Sequence, residues 1–529
     1  MSVRRTVLAF VVSLALAGVA QAQLPFRVEL EEVTQANAPA LHSTSFAQDA
    51  GRWLFVGGRS NGLHVIVGAG DAFPAAFANG AFVVYDPATD TRWTSSLDAL
   101  PAALAASLRA SNAEFLQEGN RLYVVGGYGR DASDAFVTFP TLTAIDVPGA
   151  IAAVQAGTAL APHIRQITDS RLAVAGGWLV RLGTRLQLVG GHRFDGPYNF
   201  SVNPGQVYTD AIRSFELADD GTNLTISAYT ETVDAANLHR RDGNVGPVIL
   251  AGGEEAYALY GGVFSATTLP YRQPVYVTTS GHTANAFQAQ FGHYTCPFVS
   301  MHDARTDAMH TVFFGGEGQF YVNETTGLIA QDNLVPFIDD IATLSRASDG
   351  TVTETVMPLR MPGLYGTNAQ FFQDPALPAW PNGVVRLEDI TARTRVGYIH
   401  GGIVSTTTNP GYTAGPTEAS RKVFAVYVTP DPLAAEGGPT VGPLALGAPT
   451  PNPVADRAAL TLALARPQTV RVEAFDAVGR RVALLHDGPL AAGAHALTLD
   501  AAALAPGLYV VRATGAEGVA AQRVTVARP

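Results

Sequence analysis

Arg52-Trp-Leu-Phe-Val-Gly-Gly-Arg59 decides how this chain is read, because near-copies of it return five more times. They are Leu122-Tyr-Val-Val-Gly-Gly-Tyr128, Leu186-Gln-Leu-Val-Gly-Gly-His192, Tyr257-Ala-Leu-Tyr-Gly-Gly-Val263, Thr311-Val-Phe-Phe-Gly-Gly-Glu317 and Gly397-Tyr-Ile-His-Gly-Gly-Ile403. Each copy reads as a short strand stopped by two glycines. Apolar and β-branched residues suit a pleated, buried surface, and paired glycines allow backbone angles and close approaches that a Cβ forbids. The second glycines stand at 58, 127, 191, 262, 316 and 402, at intervals of 69, 64, 71, 54 and 86 residues. Each interval holds a four-stranded unit with loops of variable length, and one motif per unit is the sequence signature of a β-propeller. The expected fold is all-β, with six blades.

The bulk composition sets the frame for this reading. At 47% hydrophobic and 15% charged residues the chain is globular, and 529 residues exceed one ordinary core, so two domains are expected. A net charge of −11 and a pI near 5.5, with no basic run, speak against a nucleic-acid partner. Arg4-Arg5, the apolar run over 7–19 and Ala20-Gln-Ala22 have the form of a signal peptide spanning 1–22. No later stretch is long and apolar enough for a transmembrane segment. Cys296 is the single cysteine, which precludes an intrachain disulfide and, in an apolar setting, reads as a small buried hydrophobe.

The first repeat sets the template of four strands. The expected strands lie near 42–48, 53–56 and 81–86, with Trp93 on the fourth. Val84-Tyr-Asp-Pro-Ala-Thr-Asp-Thr-Arg-Trp93, taken with the diglycine, resembles the kelch repeat: an apolar strand, Gly-Gly, a tyrosine-bearing strand, a polar turn and a tryptophan. In the third and fourth repeats, extra diglycines within 173–178 and 248–253 are expected on the first strand. The sixth repeat carries an insertion over 375–394 and runs into Pro430-Asp-Pro432 before a fourth strand can form. Phe26-Arg-Val-Glu-Leu-Glu-Glu-Val33 alternates as a half-buried strand does, so it is expected to supply the missing strand. A kelch-like propeller is thus expected over 23–430.

Residues 431–446 read as a Pro/Gly/Ala-rich linker. Beyond them, short strands are expected around 460–464, 470–475, 496–499, 508–512 and 523–526, a second small β-domain. Its motifs resemble the type A C-terminal sorting domain of type IX secretion cargo, over about 447–529. They are Pro451-Asn-Pro453, Asp476-Ala-Val-Gly-Arg480, Ala492-Gly-Ala-His495 and Leu504-Ala-Pro-Gly-Leu-Tyr509. The resemblance implies an immunoglobulin-like sandwich recognised by the outer-membrane translocon, and hence a secreted or cell-surface protein. An ordinary accessory sandwich is the alternative.

The kelch resemblance also implies that the loops after the second and fourth strands share one face, where ligands bind. Carried onto this chain, the residues after the diglycines are Arg59, Ser60, Asn61, Tyr128, Arg130, His192, Arg193, Glu317 and Gln319. The other loops add Asn112, His163, Arg165, His239, Arg240, Arg241, Asp242, His293, Tyr294 and Tyr365. Converging arginines would favour a carboxylate, sulfate or peptide acid; exposed loops that are simply polar are the bland alternative. His42, His163, His192, His239 and His293 fall near the same face but show no ligand-pair spacing, so no metal or other cofactor is assigned. A radical copper oxidase of the galactose oxidase type would need Cys296 joined to a tyrosine, in surroundings that do not match. No hydrolase or phosphate-loop motif occurs, and no catalytic residue is assigned. The expected function is binding of a protein or glycan ligand outside the cell. A propeller enzyme acting on carbohydrate by oxidation or epimerisation, and a purely structural surface protein, stay open.

Overall fold

The computed structural model describes residues 24–64, 71–198, 205–413, 415–431, 444–447, 449, 452, 454–464, 466–476, 480–515 and 518–528. The expected signal peptide and most of the expected linker lie outside the described residues. The chain is all-β and divides into two compact units between Asp431 and Pro432.

In the first unit, each diglycine follows or falls within the second strand of its own antiparallel sheet. The first sheet takes Ser45–Asp49, Arg52–Val56, Ala81–Asp86 and Thr91–Ser96 in chain order. The second takes Glu114–Glu118, Arg121–Val125, Thr141–Asp146 and Ile164–Thr168. The third takes Trp178–Leu182, Arg185–Val189, Ala211–Asp219 and Leu224–Val233. The fourth takes Asn244–Leu250, Glu254–Tyr260, Val275–Thr278 and Gly281–Ala284. The fifth takes Phe298–Asp303, Ala308–Phe314, Asp340–Arg346 and Val352–Arg360, with Val385–Arg386 added in parallel. The sixth takes Leu364–Gln373, Thr394–Ser405 and Val423–Pro430, and its outer strand is Phe26–Val33, paired from Phe26 opposite Pro430 to Val33 opposite Val423.

The unbroken apolar runs before the glycines follow from burial on both faces. Successive side chains of a strand point to opposite sides. Leu54 and Val56 pack with Leu122, Val124 and Ile145 of the second sheet, while Trp53 and Phe55 pack with Phe372 and Val423 of the sixth. Tyr123 and Val125 turn instead to Leu186 and Leu188 of the third. The same sharing joins the third sheet to the fourth, the fourth to the fifth and the fifth to the sixth. The core therefore lies between sheets, and a strand with no solvent face has no reason to alternate.

The glycines meet a repeated demand. The first of each pair has φ between +59° and +75° and the second between +80° and +88°, angles at which an L-residue with a Cβ is strained. A Cβ on Gly57 would also strike the carbonyl of Ala110, which leads into the second sheet, and one on Gly401 the carbonyl of Leu41, which leads into the first.

Several boundaries differ from expectation. The first strand starts at Ser45, not near His42, because Ser43 has a left-handed backbone (φ +53°). Gly176 and Gly177 precede the third sheet's first strand instead of lying on it, and Gly252 and Gly253 form the turn after the fourth's. Two helices, Ala102–Leu108 and Val147–Ala156, were not expected; the second buries Val147, Ala150, Ile151 and Val154 against the first two sheets. No helix among the described residues is long and apolar enough to cross a membrane.

The second unit has a three-stranded sheet (Leu444–Leu446, Arg457–Leu464, Gly493–Asp500) and a four-stranded sheet (Arg481–Leu490, Gln468–Asp476, Gly507–Gly515, Gly518–Val526). One apolar cluster, including Leu460, Leu462, Val472, Leu499, Val511 and Val524, serves both. Leu444–Leu446 pairs with Arg457–Leu464, so the last residues of the expected linker belong to this unit.

Candidate functional site

Six residues at or just before the sheets' first strands share a left-handed backbone: Ser43, Asn112, Gly176, Asp242, Thr295 and Asn368. Gly, Asn and Asp tolerate that region; Thr295 is β-branched and is held there against its preference. Main-chain hydrogen bonds link them in sequence: Asn112 N donates to Ser43 O at 3.2 Å, Gly176 N to Asn112 O at 2.9 Å, Asp242 N to Gly176 O at 2.8 Å, Thr295 N to Asp242 O at 3.2 Å and Asn368 N to Thr295 O at 2.9 Å. The residue before each of these six pairs with the residue after a diglycine: His42 with Arg59, Ser111 with Tyr128, Ala175 with His192, Arg241 with Val263, Tyr294 with Glu317 and Thr367 with Ile403. All six residues that follow a diglycine border one cavity of about 350 Å³.

The expected site residues divide sharply. Arg59, Tyr128, His192, Arg241 and Glu317 border this cavity, as do Asn112, Asp242 and Tyr294. Asn61 instead holds Arg59, accepting from its Nε at 3.0 Å. Arg130 opens on a neighbouring cavity of about 430 Å³ and is paired with Asp71 at 2.8 Å and Asp134 at 3.1 Å. Arg193 is exposed and paired with Asp195 at 2.7 Å. Arg240 is fully buried and pins its loop: it donates to the carbonyls of Asn237, Gly261 and Gln273 at 2.7, 3.0 and 3.1 Å and stacks on Tyr271. His239 is bound to Asp210 at 2.6 Å and stacked on Tyr208. His163 and Arg165 sit in the connection between third and fourth strands and at the start of the fourth, so they leave the expected face; Arg165 pairs with Asp219. His293 is buried against Phe313 and bound to Glu354 at 3.1 Å. Gln319 is buried and positions Asn333, to which it donates at 2.9 Å.

Among the cavity's cations, Arg59 stands apart. Its side chain lies under Phe73 and its Nη2 donates to Pro74 O at 2.9 Å; among the described residues no carboxylate lies within ion-pair distance, and Asp71, which pairs with Arg130, acts on it only from farther away. Nη1 has no hydrogen-bond partner among the described residues. Burial pulls the guanidinium down to about 10, which leaves it charged at neutral pH. Neighbouring His42 is held neutral, lowered to about 3 by burial and by the Arg59 charge. Arg241 is answered by Asp242, with both side chains about nine-tenths buried. The carboxyl of Glu317 has no hydrogen-bond or ion-pair partner among the described residues, and burial together with the Asp242 carboxylate pushes it up to about 8. It is a neutral acid at pH 7, able to donate a hydrogen bond into the cavity.

His64, Phe73, Tyr198, Asn333, Leu334 and Tyr412 also border the cavity. They lie deep in the long connections after the second strands, at no fixed offset from a glycine, so only loop length pointed toward them. Among the described residues no group of three or more His, Cys, Asp or Glu is gathered as a metal site. Cys296 is buried, its thiol pushed up to about 12, and accepts from Asn244 Nδ2 at 3.4 Å.

The motifs of the second unit have local mechanical roles. Asn452 accepts from Thr525 N at 2.9 Å and donates to Arg523 O at 3.2 Å, tying the start of the unit to its last strand. Asp476 accepts from the backbone and the side chain of Arg480 at 2.9 and 2.8 Å. Tyr509 donates its hydroxyl to Ala505 O at 2.8 Å.

Comparison with curated proteins finds no match to the chain. Among solved structures, one titled "Structure of YjhT" aligns over 75% of this chain and 99% of its own, at 11% identity and a TM-score of 0.40. Residues 450–527 match the family described as "Secretion system C-terminal sorting domain". That stretch is a type IX secretion C-terminal sorting domain, and it implies interaction with the type IX machinery, export, and a secreted or cell-surface location.

Proposed function

We propose that the first unit is a six-bladed, kelch-like β-propeller whose mouth binds a small, hydroxyl-rich ligand bearing one carboxylate or sulfate, such as the end of an acidic glycan, outside the cell. The propeller reading is supported by six sheets that bury their faces against one another, the sixth against the first. The ligand reading rests on Arg59, a buried guanidinium in the cavity wall with an unused donor and no carboxylate in ion-pair contact among the described residues. A buried, unpaired charge is costly, and an anionic ligand relieves that cost. Asn112, Asn333, Asn368, Thr295 and Ser43 supply neutral donors and acceptors suited to hydroxyl groups. Calorimetry with galacturonate tests this: binding that falls at least about hundredfold in Arg59→Gln, as expected for a lost charge-assisted pair, supports the reading, and unchanged binding refutes it. For export, removal of 444–529 is expected to hold the protein in the periplasm, followed by fractionation and immunoblot; continued appearance outside the cell would count against the sorting role.

A second reading, a carbohydrate-active enzyme, is favoured by Glu317. A neutral carboxylic acid facing the cavity is a general acid at the pH of use. Proton NMR of galacturonate incubated with the protein separates the two: new or faster-interconverting sugar signals, lost in Glu317→Gln, mark catalysis.

A further inference from the structure

We infer that the mouth carries a second subsite, an apolar rim that takes the next sugar ring of a chain whose acidic end occupies the cavity; this rests on the reading of Arg59 above. Phe264, Leu334 and Tyr412 are 40%, 45% and 54% exposed, and all three border the cavity. They come from the connections that follow the diglycines of the fourth, fifth and sixth sheets.

The first three sheets treat their aromatic residues differently. Phe73 and Tyr128 have ring centres 5.2 Å apart, Tyr128 and Phe136 5.5 Å, and Phe194 and Tyr198 5.1 Å. Those rings are used up in one another's packing. Phe264 and Tyr412 have no ring partner among the described residues; the Arg241 guanidinium lies 5.6 Å from the centre of Phe264. The mouth thus has a polar, charged interior joined to an uncovered apolar border.

An occupant that fits both has an anionic, hydroxyl-rich end and a body with flat C–H faces. A sugar ring offers such faces to an aromatic surface while its hydroxyls stay in water, as amphipathic groups do at wet interfaces. The cavity, at about 350 Å³, is near the lower end of small-ligand sites, so it holds a terminal unit and the chain must leave across the rim. The rim makes the protein a reader of chain ends.

Calorimetry with galacturonate and its dimer and trimer tests the subsite on the full-length mature protein. The dimer is expected to bind about tenfold tighter than the monomer, with little further gain for the trimer. Phe264→Ala and Tyr412→Ala are expected to bring the dimer down to monomer affinity and to leave the monomer unchanged. Equal affinity of monomer and dimer in the unaltered protein overturns the rim subsite while leaving the Arg59 reading intact. Loss of monomer and dimer alike in both variants also overturns it, as does a tenfold gain for a phenylalanine-ended acidic peptide without one for the dimer. Absence of any galacturonate binding, or monomer binding indifferent to Arg59→Gln, refutes the underlying reading instead.

Discussion

Two walls of one cavity use arginine in opposite ways. On the wall of the first sheet, Arg59 meets an amide, a carbonyl and an aromatic ring, and among the described residues it has no ion-pair partner of its own, Asp71 being paired with Arg130. On the wall between the fourth and fifth sheets, Arg241 is neutralised by the residue next to it in the chain, and the additional acid, Glu317, keeps its proton. The backbone pairing is the same at both places. A repeated scaffold thus supplies equivalent positions, and their contents make one wall a receptor for negative charge and the other a closed ion pair with a spare proton donor.

Removing the answering charge tests this contrast most severely. Asp242→Ala leaves Arg241 buried and unpaired, so a loss of about 3–5 kcal/mol is expected in urea unfolding. Asp242→Asn keeps a residue at ease with the left-handed backbone, so persistence of most of that loss assigns it to charge rather than strain. Arg59→Gln is expected to show the converse, a large fall in galacturonate affinity with stability changed by less than about 1 kcal/mol, since no ion pair is broken. If Arg59→Gln destabilises as much as Asp242→Ala, the two walls are not different in kind.

Glu317 gives a pH test. Its folded carboxyl titrates near 8 against an ordinary value of 4.5, so between those values the folded state holds a proton that the unfolded state has released. Its contribution is fully present below about 4.5 and is lost as pH rises through about 8. Thermal melting from pH 5 to 8.5 is therefore expected to fall more steeply for the unaltered protein than for Glu317→Gln; parallel curves would show that Glu317 is ionised. The smallest effect belongs to Arg193→Gln. Its exposed pair with Asp195 is worth at most about 1 kcal/mol, and neither melting nor galacturonate binding should change measurably.

Much of this architecture was legible along the chain. The apolar runs before the glycines are unbroken because both faces of those strands are buried, and the glycines recur because each turn needs positive φ beside a neighbouring carbonyl. Phe26–Val33 alternates because it is an outer strand with one wet face. Alternation and glycine spacing said less about Gly176 and Gly252, since a diglycine that turns the chain before a strand looks the same in sequence as one that ends it.

For the candidate site, sequence alone determined which positions meet: the residue after each glycine pair reaches the cavity in all six repeats, because a local backbone geometry repeated six times puts it there. Tertiary structure decided which of those side chains have charge to spare. Arg130 and Arg193 are equal candidates with Arg59 in sequence; folding pairs them with Asp71, Asp134 and Asp195, whereas among the described residues Arg59 forms no ion pair and feels Asp71 only at longer range. Ion pairing acts over a few ångströms in space whatever the separation along the chain, 59 positions for Arg130 and Asp71, whereas a glycine's backbone angles are a property of the residue itself.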